Sequence, residues 1–355
     1  MNHTRWYIMD FKRSFKIFSG LLLAVLVFSC EQREERASLG SISGPAFGTT
    51  FNIKYFVSGD FDSERFTAGI DSVLNAVNVS MSTYLPQSDI TRINQGDTTV
   101  VVDEMFKEVF VLSRRIQKES EGYFDPTIGV LRNAYGFGDT KPLAIIDEVT
   151  LDSLMTFVGF SKVSLKEDGT VYKEHPEIYF DFNAIAKGYG IDRLGVYFDQ
   201  LGITNYLIEL GGEILTKGQN LNREGPWTTG IEAVDSERTN RSYEALVSLQ
   251  DVAMASSGNY RKFRIDTTTG KRYVHTLNPL TGSAETSDVT SATVIAATCA
   301  EADAYATTFM ALGLERSKIL LNKLKGVEAY LTYTAGDSTG VYISDGFKPL
   351  LLEQN

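Results

Sequence analysis

Strand-like segments crowd the chain after residue 160, and that crowding limits the fold more than any other feature of the sequence. Short runs rich in β-branched and aromatic residues occur at 161–165, 176–182, 205–210, 227–234, 243–249, 289–297 and 326–333. An earlier run, TTFNIKYFV at 49–57, alternates apolar and polar residues as a half-buried strand does. Helices are predicted at 63–79, 103–120, 186–201 and 300–322, and in the second Met105, Phe106, Val109, Phe110, Leu112 and Ile116 share one face. Strands outnumber helices and are not regularly separated by them. The expected class is therefore α+β, with mixed or antiparallel sheets and flanking helices. No short-period repeat, low-complexity tract or proline-rich linker breaks residues 44–355, so they are expected to form a single domain.

Disulfides cannot hold such a domain together. The chain has two cysteines, Cys30 and Cys299, and the first ends what reads as a targeting segment. Arg5, Lys12, Arg13 and Lys16 make a basic start, followed by the apolar run IFSGLLLAVLVFS at 17–29. That run is shorter than the roughly 18 residues expected of a spanning helix. Met9 offers a second start with a more ordinary signal length. VFSC resembles a lipobox, so residues 1–29 are expected to be a signal peptide cut before a lipidated, palmitate-bearing Cys30; the alternative is an uncut membrane anchor. Both place the rest of the chain in the cell envelope, on the periplasmic or outer side of a bacterial membrane. Glu31 and Gln32 lack the aspartate signal for inner-membrane retention, which leaves inner and outer membrane open. Residues 30–43 are then a lipidated cysteine and a polar tether. Residues 1–29 carry four basic and one acidic side chain, so removing their net +3 takes the formal charge from -11 to -14. Nucleic acid, whose phosphates need basic partners, is excluded as a target.

Three groups of residues carry chemistry. In DFNAIAKGYGID, at 181–192, Lys187 stands among small and apolar residues, and a lysine is rarely buried without a partner. In CAEADAYATTFMALG, at 299–313, Asp303 and Thr307 fall one helical turn apart. They are hard oxygen ligands suited to Mg²⁺ or Ca²⁺, or else a plain helix-surface pair. In RYVHTLNPLTG, at 272–282, His275 precedes a turn built by Asn278, Pro279 and Gly282. Beyond residue 29 its only fellow is His175, in a charged turn, so His275 is the candidate general base, with a structural histidine as the alternative. Glycines mark GPAFGTTF at 44–51, EGYFDPTIGVLRNAYGFG at 121–138 and ELGGEI at 209–214, yet none forms a Walker loop or a dinucleotide fingerprint. Tyr84 and Phe124 could stack on a flat ring system or belong to the core.

In order along the chain, GPAFGTTF, MSTYLPQSDITRIN, GYFDPTIGVLRNAYGFG, DFNAIAKGYGID, YLIELGGEI, SSGNYRKF, HTLNPLTG and ADAYATT resemble the ApbE family of FAD:protein FMN transferases, over about residues 44–315. The resemblance implies an α+β domain with a flavin cleft and a Mg²⁺-dependent reaction. FAD would be cut at its pyrophosphate, AMP released, and FMN joined through phosphate to a threonine hydroxyl of an acceptor flavoprotein. By motif position, Asp181 and Lys187 would contact FAD, and the backbone carbonyl of Ala184 would join Asp303 and Thr307 on the metal. Phe47, Tyr84, Tyr123, Phe124 and Asp125 would line the flavin cleft, and His275 would stand beside the phosphates. Lys187, Asp303 and His275 are the expected catalytic set. Two positions depart from the family's usual pattern: Phe47 replaces Met, and Asn278 replaces Asp. The rival activities are an FAD pyrophosphatase giving FMN and AMP, and a non-catalytic flavin carrier. The family resemblance further implies an acceptor among subunits of membrane redox complexes or secreted flavoproteins. DVTSAT at 288–293 faintly resembles a modifiable threonine segment, but it also reads as the start of the strand VTSATVIAA, which explains it without function.

Overall fold

Antiparallel pairing between strands far apart in sequence organises this protein. The computed structural model describes residues 37–233, 242–259, 263–265, 270–284 and 286–353. The expected signal segment, Cys30 and the first part of the tether lie outside them. In chain order, β1 (Ser38–Ala46) and β2 (Thr49–Val57) form a hairpin, followed by α1 (Ser63–Met81), α2 (Asp89–Asn94), α3 (Glu104–Glu119), α4 (Gly129–Tyr135) and α5 (Glu148–Met155). The hairpin of β3 (Val163–Leu165) and β4 (Val171–Lys173) leads to α6 (Ala186–Gln200). Next come β5 (Tyr206–Leu210), β6 (Glu213–Lys217), β7 (Trp227–Glu232), β8 (Tyr243–Leu249), β9 (Ala253–Gly258), β10 (Phe263–Ile265), β11 (Arg272–Val274) and β12 (Val289–Ala296). Helices α7 (Cys299–Leu312) and α8 (Leu314–Leu321) and strands β13 (Glu328–Ala335), β14 (Ser338–Ile343) and β15 (Leu351–Leu352) complete the order.

Eight strands form the main sheet in the order β1-β2-β5-β6-β9-β12-β13-β14, with every neighbouring pair antiparallel. A smaller sheet, β15-β8-β7, covers part of one face. Alternation along the central strands shows why both faces are dry. Ile214, Met254, Ile295 and Tyr330 point to the small sheet and meet Ile231, Val247, Leu249 and Phe347. Their neighbours Ala255, Val294, Ala296, Ala329 and Leu331 point the other way, into a cluster with Phe106, Tyr305 and Phe309 of α3 and α7. Nearer β2, Phe51, Ile53, Tyr55 and Ile208 pack beneath Phe66, Ile70, Leu194 and Phe198 of α1 and α6. The outer strands carry glycines facing aromatic rings: Gly40 and Gly44 pair with Tyr55 and Phe51, and Gly340 with Tyr333. A Cβ added at these three positions would fall 2.4, 2.8 and 2.6 Å from the opposing ring, so the rings lie across the strand.

The α+β class, antiparallel sheets and flanking helices agree with expectation, and three local expectations are corrected. The tether is shorter than 30–43, because Ser38–Ala46 pair along the whole of β2. The expected strand at 176–182 joins no sheet: it opens in a turn at 176–177 and makes only a bridge from Tyr179 to Ile128. Side chains supply its partners: Asn94 donates to the Phe180 carbonyl at 2.9 Å and accepts from the Phe180 amide at 2.7 Å, and Lys173 Nζ donates to the Ile178 carbonyl at 3.0 Å. The helix expected over 300–322 breaks at Gly313, whose φ of 77° is outside the helical region, and the Leu314 amide turns to Asp288 Oδ1 at 2.9 Å. Cys299 is buried with a free thiol. No helix among the described residues is long and apolar enough to cross a membrane.

Candidate active site

Two helices set the site by touching near their first turns. Gly188 of α6 lies against the start of α7, where a Cβ would sit 2.2 Å from the Cys299 carbonyl oxygen, so only glycine allows the approach. Asp192, one turn further along α6, ties the helices together by accepting the amides of Cys299 at 2.7 Å and Ala300 at 2.9 Å. Burial pushes its carboxyl up to about 7, against the pull of those two amides.

At this junction Lys187 has carboxylate partners. Its Nζ lies 2.6 Å from Glu213 Oε1 and 3.3 Å from both oxygens of Asp303. Burial alone would lower the affinity of the ammonium for its proton, but Asp303 and Glu213 outweigh it and raise the pKa. Lys187 is therefore a fixed positive charge. Its side chain is 29% exposed against 5% for Glu213 and 4% for Asp303, so Lys187 is the least buried of the three side chains. Burial pushes the Glu213 carboxyl up, and the adjacent Lys187 opposes the rise.

Asp303 also accepts the Gly188 amide at 3.1 Å. In a helix that amide would turn back to the carbonyl of Ala184, four residues earlier. Its diversion leaves the Ala184 carbonyl without that partner, while Asp303 stands one helical turn from Thr307. Thr307 Oγ1 is 3.4 Å from Ser257 Oγ on β9. Among the described residues no three His, Cys, Asp or Glu side chains are grouped to hold a metal. A cation here would take one carboxylate, one hydroxyl and one carbonyl and complete its shell from water and substrate. That set fits Mg²⁺, which typically keeps waters and shares phosphate oxygens.

Hairpin tips close the site from above the two helices. Phe47 and Gly48, with φ of 48° and 75°, turn β1 into β2, and the Phe47 ring covers Gly190, where a Cβ would lie 2.5 Å from it. Gly211 and Gly212, with φ of 62° and 104°, turn β5 into β6 and deliver Glu213. The motifs GPAFGTTF, ELGGEI, DFNAIAKGYGID and ADAYATT thus meet in one place.

Other expected residues fall into distinct roles. Asp181 is paired with Arg132 at 2.8 Å and accepts the Asn183 amide at 2.7 Å. Arg132 also donates to the Phe137 carbonyl at 3.0 Å, and the Phe137 ring meets His275 edge-on at 6.5 Å between centroids. Asp181 and His275 thus share one wall through Arg132. Tyr84 is 63% exposed, with its hydroxyl in the field of Arg132, Asp181 and Asp139. It is therefore free to stack on a ligand.

Within 123–125, Phe124 and Asp125 depart from the expected cleft lining. Phe124 is core. Asp125 gives one oxygen to the amide and hydroxyl of Thr127 and the other to the Phe160 amide at 2.8 Å, so it shapes a loop and presents no acceptor to a ligand. Tyr123 lies under the Arg316 guanidinium, 5.1 Å from its ring centre. Asn278 Oδ1 accepts the Leu280 amide at 2.9 Å, a neutral turn-forming role that needs no charge. DVTSAT supplies the start of β12, the plain reading of that segment.

Glu213, Arg132 and Asp192 were not anticipated. Asp192 closes the DFNAIAKGYGID motif, Glu213 follows a glycine pair and Arg132 lies within EGYFDPTIGVLRNAYGFG, so each carried a local signal, though none marked its partner.

Comparison with known proteins agrees with this geometry. The sequence profile of the ApbE family matches residues 47–331. FAD:protein FMN transferase of Vibrio cholerae is 35% identical over 333 residues, covering 92% of this chain and 96% of that one. The enzyme of the same name from Haemophilus influenzae is 33% identical over 344 residues, covering 94% and 98%. Among solved structures, the flavin transferase ApbE from Vibrio cholerae aligns with a TM-score of 0.79 at 34% identity, over 89% of this chain and 100% of that one. The apo form of Pseudomonas stutzeri flavinyl transferase ApbE aligns with a TM-score of 0.77 at 26% identity, over 89% and 97%.

Proposed function

The chain belongs to the ApbE family, and on that premise we propose that it transfers FMN from FAD to a threonine hydroxyl of an acceptor protein, releasing AMP. The observation that carries the reading is the fixed ammonium of Lys187, 3.3 Å from Asp303, with Thr307 one turn on and the Gly188 amide drawn from the Ala184 carbonyl to Asp303. Phosphoryl transfer needs charge stabilisation and alignment more than covalent chemistry.

Lys187 donates to the pyrophosphate and offsets its charge. The threonine oxygen attacks the phosphorus on the FMN side and the bond to the AMP phosphate breaks, its electron pair leaving with AMP. His275 takes the threonine proton. Tyr84 stacks on the flavin or adenine ring, and Phe47 closes the hairpin side. Mg²⁺ held by Asp303, Thr307 and the Ala184 carbonyl would supply Lewis-acid polarisation of the phosphate oxygens.

The N-terminal run ending in VFSC supports a second part of the proposal, a lipid anchor at Cys30 in the cell envelope. That tether would hold the enzyme near acceptor subunits of membrane redox complexes. Release of the protein from membranes by Cys30→Ala tests the anchor.

The activity is tested with the chain from residue 31, FAD and Mg²⁺, with and without a flavin-accepting domain. Intact mass of the acceptor and AMP are read together. An acceptor heavier by one FMN, AMP formed only alongside it, and loss of both in Asp303→Ala or with a chelator are the expected results. AMP without acceptor makes the protein an FAD pyrophosphatase. Bound FAD with no AMP makes it a carrier.

A further inference from the structure

Lys187 is held by two carboxylates of unequal kind. Glu213 Oε1 lies 2.6 Å from its ammonium, a short charge-assisted contact, whereas both oxygens of Asp303 stand at 3.3 Å. Glu213 is 4% exposed, and its second oxygen, Oε2, is buried with no hydrogen-bond partner. A carboxylate with one oxygen unsatisfied in the interior is costly, and such groups persist where something else depends on them.

The backbone behind Glu213 is firmly placed. It is the first residue of β6, paired with Leu210 across the glycine turn. The Gly211 amide donates to the Thr50 carbonyl at 3.1 Å, pinning the turn to the neighbouring hairpin. A Cβ on Gly211 would come 2.8 Å from the Thr49 methyl and 3.4 Å from Glu213 Oε2, so the turn leaves room for this side chain because it is glycine. Asp303 is committed differently, to the Gly188 amide and to the oxygen set that fits a cation.

We propose that Glu213 is the positioning residue of the phosphate site: it, and not Asp303, fixes where the Lys187 ammonium sits. Asp303 can then exchange the ammonium for another partner without Lys187 losing its aim. The inference rests on the flavin-transfer reading for the identity of the ligand, a diphosphate ester. Without Glu213 the ammonium closes on Asp303, the remaining carboxylate, and leaves its present position. The charge survives and its direction does not.

A double-mutant cycle tests this on the chain from residue 31. FAD affinity is measured by flavin fluorescence without divalent cation, and kcat and KM for transfer are measured with Mg²⁺, for the parent, Glu213→Gln, Lys187→Met and the double variant. Glu213→Gln is expected to weaken FAD binding roughly 5-fold and to lower kcat about 10²-fold, the scale of a 1 Å misplacement. In the Lys187→Met background the same change should alter FAD affinity less than about 2-fold, because the residue it serves is gone. Glu213→Asp keeps the charge but withdraws it by one methylene, and is expected to lower kcat while melting near the parent even if the glutamine variant folds poorly. Equal weakening of FAD binding in both backgrounds overturns the inference, as does full kcat in Glu213→Asp. A parent protein that binds no FAD would instead overturn the flavin reading, so the two failures are distinct.

Discussion

Replacing Gly188 with alanine should harm the reaction far more than the fold. The added methyl would lie 2.2 Å from the Cys299 carbonyl oxygen, 2.5 Å from its carbon and 2.8 Å from the Ala300 nitrogen. All three are backbone atoms of α7, so no side chain can swing away. Restoring ordinary contact requires α6 and α7 to part by about 1 Å. Intrinsic helix propensity favours alanine by about 1 kcal/mol. Overpacking of a rigid contact costs about 1–3 kcal/mol and more where backbone is opposed. With the upper part of that range the net is a loss of about 1–2 kcal/mol, or a melting temperature lower by about 1.5–3 °C in a domain of this size. A domain of ordinary stability stays folded at 25 °C under that loss. The site is less tolerant, because parting the helices lengthens the contact from the Gly188 amide to Asp303, now 3.1 Å, and moves Lys187 away from it. A displacement of that size is expected to lower the transfer rate about 10²-fold. Melting curves and FMN transfer at 25 °C are the two readouts. A variant with the parent's melting temperature and a rate within about threefold would refute the claim that this close approach sets the site.

Other substitutions separate the remaining roles. His275→Ala should lower transfer about 10²–10⁴-fold, the range for general base catalysis, and a normal rate would remove His275 as the base. Tyr84→Ala, at a 63% exposed position, should weaken FAD binding by about 1–3 kcal/mol through lost stacking, with melting unchanged; undiminished affinity would place the ring elsewhere. Asp192 predicts a pH dependence. Its folded pKa is raised to about 7 by burial, so the stability it contributes is present at low pH and is lost as pH rises from about 4 towards 7. Relative to Asp192→Asn, which cannot titrate, the parent's melting temperature should fall across that window, and a constant gap would show the carboxylate held charged by the two α7 amides.

What could be read from sequence follows from how local each feature is. Asp303 and Thr307 were legible as a pair because helix spacing alone sets them one turn apart, and Lys187 because a lysine among small and apolar residues needs a partner. Strand order was not, since β6 pairs with β9 while β7 and β8 form another sheet. β9 hid further behind its composition, AMASSG, in which small residues look like a turn but suit the close packing of α7. The segment 176–182 has the side-chain character of a strand, and only tertiary structure shows that Asn94 and Lys173 stand in for a neighbouring strand. Glu213 escaped notice because its meaning depends on Lys187, brought to it by the packing of α6 beneath the β5–β6 turn. Asp125 looked like a ligand contact within its motif, but both its oxygens are satisfied by the loop it builds.

The glycines of the two outer strands bear on how the protein behaves in crowded surroundings. An edge strand is an invitation to further strands, and a sheet of eight with both edges open could extend from molecule to molecule. Here the rings of Tyr55, Phe51 and Tyr333 already lie across Gly40, Gly44 and Gly340, and Pro45 removes an amide from β1. An incoming strand would find few side chains to bury and fewer donors to satisfy. Valine at Gly40 would evict the Tyr55 ring and restore a β-branched edge, turning a terminated sheet into a template for aggregation.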